Sequence, residues 1–356
     1  MPGRLERLRH KLKREGREAL FVTQPENRRY LSGFTGSAGA LLIDQHNACL
    51  LVDFRYLEQA ALECPEWTVY EIKETTADFL AGILPRLGIV SLACEGDYLT
   101  CQQFKSLQDK LPGIKVEPVY GFVDELRATK EPEEIENLRR AAELADQAFW
   151  YILDFLRPGV RELDVALELE FFMRKKGARK ISFEIIVASG PRGAMPHGTA
   201  SEKVLRSGEL VTIDYGCEYR GYHSDLTRTV SIGIPDGKQE KIYAVVREAQ
   251  AAGLKALRAG VKANAVDQAV REVMARYGYL DSFRHSTGHG LGLSVHEAPR
   301  LSKNDKTVLQ AGMVVTVEPG IYLPGWGGVR IEDMAVVEEN GCRLLTGAPK
   351  ERLIIC

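Results

Sequence analysis

The chain has 356 residues, 45% of them hydrophobic and 27% charged, which is too long for one ordinary core and suits two globular domains rather than a disordered chain. A formal charge of −2 supplies no overall basic field, which argues against nucleic acid or an anionic membrane as partner. No apolar run approaches the roughly 18 residues of a membrane helix, and the opening MPGRLERLRHKLKREGREAL is charged where a secretory signal needs an apolar stretch, so a cytoplasmic protein is expected.

In chain order, Leu5, Leu8 and Leu12 recur at helical spacing. Glu6, Glu15 and Glu18 interrupt the positive side of this segment, which therefore reads as a surface helix docked by its leucines and not as a membrane or RNA anchor. EALFVT and ACLLVDFRY read as short strands, and the Gly- and Ser-rich YLSGFTGSAGALLID between them turns into another. TVYEIK, ADFLAGILPRL, IVSLACE and FKSLQDKL continue an alternation of strand and helix, the pattern of an α/β domain. Lys130-Glu131-Pro132 then opens a helix with Glu133 and Glu134 in its first turn, where acids suit the helix dipole. The domain boundary is expected near residue 127, giving domains 1–127 and 128–356. His10 and His46 stand alone and read as surface residues. The seven cysteines, Cys49, Cys64, Cys94, Cys101, Cys217, Cys342 and Cys356, form no CxxC pair. Scattered and odd in number, they suit thiols of a reducing compartment and not a zinc ribbon.

Acids sit at unusual places in the second domain. In ELVTIDYGCEYRGYHSDLTRTVSIG, Val211 and Ile213 alternate with Thr212 and Asp214, while Tyr222, Ser224 and Leu226 alternate with His223, Asp225 and Thr227. With CEYRG as the turn and its centre between Tyr219 and Arg220, Asp214 falls directly opposite Asp225, and such partners share a face. Two carboxylates so placed repel unless a proton, a basic neighbour or a cation intervenes. GMVVTVEPGIYLPGWGGVRIEDMAVV repeats the pattern: Thr316 and Glu318 share one parity, LPGWGG turns, and Arg330, Glu332 and Met334 alternate with Val329 and Ile331. Glu318 and Glu332 are expected to meet across this second hairpin, with Pro319 and Gly320 interrupting the ladder.

Three of the seven histidines, His285, His289 and His296, lie within RHSTGHGLGLSVHEAPRL. Four carboxylates with one Gly-flanked imidazole suit two hard or borderline divalent ions better than a thiolate zinc site, and two such ions can activate a water between them. Rival motifs are incomplete. GHGLG lacks the lysine of a phosphate loop, HEAPR is not HExxH, and neither Ser286 nor Ser294 sits in a GxSxG elbow.

Taken together, Asp214 in TIDYG, Asp225 in HSDLTRT, His289 in TGHGLG, Glu318 in TVEPGIY and Glu332 in VRIEDM make the chain resemble the pita-bread metallopeptidases of family M24, with a creatinase-type N-terminal domain. The resemblance spans essentially the whole chain. It implies an α/β N-terminal domain followed by an α+β pita-bread catalytic domain with a curved antiparallel sheet. It further implies that Asp225 and Glu332 bridge two ions, that Asp214 completes one, and that His289 and Glu318 complete the other. The expected metal is manganese, with cobalt or zinc as alternatives. His197 in AMPHG, His285 and His296 match histidines that act beside the metals or face the substrate, and Glu318 is the expected proton shuttle. Arg300 in HEAPR matches an arginine that prolidases place for a free proline carboxylate, whereas Arg330 in GVRIED is shared more widely. The implied activity is hydrolysis of the Xaa-Pro bond in dipeptides, with aminopeptidase P action on longer Xaa-Pro peptides as the close alternative. More remote readings are a metal-free hydrolase of the creatinase kind or a binding module. Homodimers, in which one subunit's N-terminal domain shields the other's site, are also implied.

Overall fold

The computed structural model describes residues 3–356 and divides into two compact units, the first ending at Arg127 and the second beginning at Ala128. In the first unit, α1 (Arg4–Arg14) buries Leu8 and Leu12, as expected of a docked surface helix. Six strands follow: β1 (Ala19–Val22), β2 (Ala40–Asp44), β3 (Ala48–Val52), β4 (Thr68–Glu71), β5 (Ser91–Glu95) and β6 (Lys115–Val119). Their spatial order is β4-β3-β2-β1-β5-β6. β2 runs antiparallel to both β1 and β3, and the remaining pairs are parallel. Helices α2 (Pro25–Ser32), α3 (Leu57–Glu63), α4 (Thr76–Ile83) and α5 (Cys101–Lys110) connect them. Phe21, Leu42, Leu51 and Leu92 of the sheet pack with Leu80 of α4 and Leu107 of α5 into a core of this unit's own.

After α6 (Asp124–Ala128), the second unit opens with α7 (Pro132–Leu153) and α8 (Glu162–Lys175). Pro132 takes the first helical position, and Glu131 and Glu134 cap each other's backbone N–H groups reciprocally, which defines the start that the acids and proline of the sequence indicate. The strands β7 (Lys180–Ile181), β8 (Ile186–Ser189), β9 (Leu210–Tyr215), β10 (Cys217–Tyr219), β11 (Tyr222–His223) and β12 (Leu226–Ser231) precede the helix pair α9 (Gly237–Ala256) and α10 (Ala263–Arg276). After them come β13 (Gly288–Gly290), β14 (Glu297–Leu301), β15 (Val314–Val317), β16 (Gly320–Leu323), β17 (Gly327–Arg330), β18 (Asp333–Glu338), β19 (Gly341–Leu344) and β20 (Ile354–Ile355). All their ladders are antiparallel except that of β20, which adds parallel to β12.

Alternation divides these strands into two faces. Val211, Ile213 and Tyr215 of β9 turn toward Phe149 of α7 and Leu169 of α8. Ile321 and Val329 turn toward Ile242, Val246 and Val270 of the second helix pair. The intervening residues, among them Asp214, Thr227 and Arg330, are left for the other face.

The first hairpin differs from the register expected of it. Asp214 pairs with Thr227, not with Asp225. Cys217–Tyr219 continues as strand β10, so that Tyr219 faces Tyr222 and only Arg220 and Gly221 form the turn. Both carry positive φ, 48° and 85°, as a two-residue primed turn requires. The slip is of two residues, and because side chains alternate with a period of two it keeps Asp214 and Asp225 on one face as diagonal neighbours. In the second hairpin, Val317 pairs with Asp333 and Gly320 with Arg330. Glu318 and Glu332 thus occupy facing positions in the gap between the two ladders.

Candidate metal centre

His289 lies at the middle of β13, between β14 and β15. Its glycine neighbours answer a need for space. A Cβ on Gly288 would stand 1.9 Å from the Thr316 carbonyl oxygen, and one on Gly290 2.3 Å from that of Ala298. The His289 Nδ1–H donates to the Gly290 carbonyl at 3.1 Å, which leaves the lone pair on Nε2. That nitrogen lies 3.5 Å from Asp225 Oδ2 and 3.8 Å from Glu318 Oε1. One ligand atom from each of Asp225, His289 and Glu332 falls within 4.8 Å of the others.

Asp214 joins them through Arg330, whose Nη2 donates to Asp214 Oδ2 at 2.7 Å. Its other oxygen, Oδ1, is buried without a hydrogen-bond partner. Arg330 is itself 3% exposed and also donates to Tyr322 Oη (2.9 Å), Thr227 Oγ1 (3.1 Å) and the Pro196 carbonyl (3.1 Å). Thr227 passes a hydrogen bond on to Glu332 Oε2 at 2.7 Å. One guanidinium therefore orients two of the acids and the loop that carries His197.

Electrostatics describe a site short of positive charge. Burial, then the charges of Glu332 and Asp214, push the Asp225 carboxyl well above its usual range. Burial and Glu332 do the same to Glu318. Glu332 is pushed up to about 7 by burial and by Asp214. Clustered carboxylates that raise one another's proton affinity, an orphaned carboxylate oxygen and an imidazole lone pair aimed at them form a donor set that fits hard or borderline divalent cations.

These residues line a cavity of about 610 Å3, together with His197, His285, His296, Arg300, Tyr322 and Phe183. The His285 Nδ1–H donates to the Ser286 carbonyl at 2.8 Å, and its Nε2 accepts from Tyr322 Oη at 3.0 Å. Loss of solvent and the Arg330 charge lower the His285 pKa to about 4, so the ring is neutral. The His296 ring centroid stands 4.3 Å from that of His289. Arg300 is exposed, and its guanidinium has no hydrogen bond or ion pair among the described residues. Each site residue named from the sequence thus lies on this one cavity. Tyr322 and Thr227 carry no expected role in that reading, yet their strand parity marks both: Tyr322 shares the parity of Thr316 and Glu318, and Thr227 that of Asp225.

Residues 136–339 match the family described as Metallopeptidase family M24, and residues 4–129 match the Creatinase/Prolidase N-terminal domain. A Xaa-Pro dipeptidase of Pyrococcus furiosus is 39% identical across 99% of this chain and all of its own length. The solved structure of a Xaa-Pro dipeptidase from Bacillus anthracis superposes with a TM-score of 0.97 at 45% identity, covering 99% of both chains. That of an X-Pro aminopeptidase from Thermotoga maritima superposes at 0.90 with 37% identity, covering 98% of this chain and all of that one. The chain belongs to metallopeptidase family M24, with a creatinase-type α/β domain preceding a pita-bread catalytic domain.

Proposed function

We propose that this protein hydrolyses the Xaa-Pro bond of dipeptides, with two divalent ions held by Asp214, Asp225, His289, Glu318 and Glu332. The observation that carries the reading is the convergence of these five side chains on one cavity whose wall also presents an uncommitted guanidinium, Arg300. Relatives named Xaa-Pro dipeptidase that match over 94% or more of both chains support it. Bound there, the ions supply Lewis acidity toward the scissile carbonyl and the attacking water. Asp225 and Glu332, whose ligand atoms lie within 4.8 Å of each other and of His289, would hold the ions at the centre of the donor set, and manganese would suit its oxygen-rich donors, with cobalt or zinc as alternatives.

The chain's own residues do the rest. Glu318, on the cavity wall beside Asp225 and His289, is the carboxylate that carries a proton from the attacking water to the leaving imino nitrogen. His296 and His197 stand on the cavity wall as donors toward the carbonyl oxygen and the peptide. Proline offers no N–H to recognise, so selection rests on cavity shape and on Arg300, which pairs with the free carboxylate of a dipeptide. Aminopeptidase P action on longer peptides is the second reading, favoured by the similarity to the Thermotoga maritima enzyme. A cytoplasmic homodimer is part of the proposal and rests on the family resemblance. No described helix is long and apolar enough to cross a membrane.

The test compares Leu-Pro with Leu-Pro-Pro after chelation and metal restoration. Metal-dependent cleavage of Leu-Pro is expected, and Arg300→Ala should lower kcat/KM about 10-fold or more on the dipeptide, as loss of a charge-assisted pair does, with a smaller effect on the tripeptide. Preference for the tripeptide would give the aminopeptidase reading, and equal losses on both would show that Arg300 does not bind a terminal carboxylate.

A further inference from the structure

Helix α10 contributes nothing to the cavity wall, yet two of its side chains, one helical turn apart, bond to the segment that carries His285, Arg271 to its backbone and Asp267 to the Thr287 hydroxyl. Arg271 Nε donates to Asp267 Oδ2 at 2.6 Å, while Nη1 and Nη2 donate to the carbonyl oxygens of Phe283 (3.1 Å) and His285 (2.7 Å). The same guanidinium lies 4.6 Å from the centre of the Phe283 ring. That ring packs edge-on against the His285 imidazole, with centroids 4.9 Å apart and planes at 83°. Asp267 uses its other oxygen to accept from Thr287 Oγ1 at 2.9 Å. Phe283 and Asp267 are each 1% exposed and Thr287 is fully buried.

We infer that Arg271 is a positioning residue for the hydrolytic centre, acting through His285, with Asp267 as its anchor. Three N–H groups of one planar fork, each on a different acceptor, fix the orientation of the fork as a flexible ammonium would not. The two carbonyls it holds flank Arg284, so the backbone on both sides of the His285 ring is pinned, and the Phe283 ring sets the plane of the imidazole. His285 in turn accepts from Tyr322, which Arg330 also holds. The clamp therefore completes a chain from the outer helix to the acids. Stability is a poor explanation of the arrangement, because a buried ion pair often contributes no more than well-packed apolar side chains would. Geometry at the imidazole is the better one.

The inference rests on the hydrolysis proposed above, and the two can fail separately. Wild-type protein that cleaves no Xaa-Pro peptide with any of the three metals overturns the function, and the clamp with it, before a variant is made. With an active wild type, Arg271→Met should lower kcat about 10- to 100-fold, the range seen when groups that orient active-site residues are removed. KM and bound metal should stay near wild type, and the same substitution in a His285→Ala background should bring little further loss. Arg271→Lys keeps the charge beside Asp267 but cannot hold both carbonyls, so it should also lose kcat, and it serves if the methionine variant folds poorly. Unchanged kcat per metal-loaded site in both variants, or an equal loss with and without the His285 imidazole, overturns the clamp.

Discussion

At the scale of single residues, the centre is a place where charge is held in deficit. Asp225, Glu318 and Glu332 all have their proton affinity raised by burial and by neighbouring carboxylates, Glu332 acting on Asp225 and Glu318, and Asp214 on Glu332, so at mildly acidic pH protons occupy the positions that cations would take. Metal binding must then release protons and strengthen with pH. Titrating manganese into chelated protein should release roughly one proton or more per molecule near neutrality, read as a dependence of the calorimetric heat on buffer ionisation enthalpy. Stability carries the same sign. A carboxyl whose folded pKa is raised from 4.5 to about 7 stabilises the metal-free fold below 4.5, and that contribution disappears as pH rises through about 7. Chelated protein should accordingly melt lower at pH 8 than at pH 5, and Glu332→Gln should flatten the slope. A metal-free melting temperature that rises across this window would show that the acids are not mutually frustrated.

At the scale of elements, the site is made by strands that carry acids on one face and core residues on the other, and that much is legible in the chain. The parity of Asp214, Asp225, Glu318 and Glu332 identifies one shared face without any knowledge of register. Register itself was less readable, because CEYRG holds both a short strand and a two-residue turn, and composition alone does not say which residues turn. The error of two residues was harmless to the face but not to the pairing, since Thr227 and not Asp225 lies opposite Asp214. Tyr322 carries the same parity, although Pro319 and Gly320 interrupt the ladder between it and Glu318. The Arg271 clamp was readable only as far as Asp267, four residues back on its helix: its other two acceptors are backbone carbonyls beyond the helix end, and carbonyls have no sequence signature. Asp333, next to Glu332, points the other way and pairs with the buried Arg228 at 2.7 Å, so adjacency to a site residue says nothing about membership. The glycines beside His289 give this scale its prediction. Gly288→Ala asks a strand with no room for a methyl group to move off the Thr316 carbonyl, which should destabilise the protein by about 1–3 kcal/mol and reduce metal content. Urea unfolding and metal analysis check both, and wild-type values in each would show that β13 and β15 are free to separate.

At the scale of the whole molecule, two cores stand in one chain. Phe21, Leu42, Leu80 and Leu92 belong to a cluster confined to the first unit, and the clusters around Ile213 and around Val270 belong to the second. All five proposed metal ligands lie in the second unit. Binding energy that distinguishes folded from unfolded protein therefore enters through the second core alone, and metal at about 100 times its dissociation constant adds about 2.7 kcal/mol per site. That increment should raise the melting of the second unit by roughly 5–10 °C for one ion, and by more for two, while leaving the first where it was. The three tryptophans make the comparison direct, since Trp67 lies in the first unit and Trp150 and Trp326 in the second. Trp67→Phe reports the second unit, and the Trp150→Phe, Trp326→Phe double variant reports the first. Thermal scans with chelator and with manganese should move only the former signal. Equal movement of both would mean that the two cores unfold as one cooperative block, and the energy of the metal centre would then support the entire chain rather than the unit that holds it.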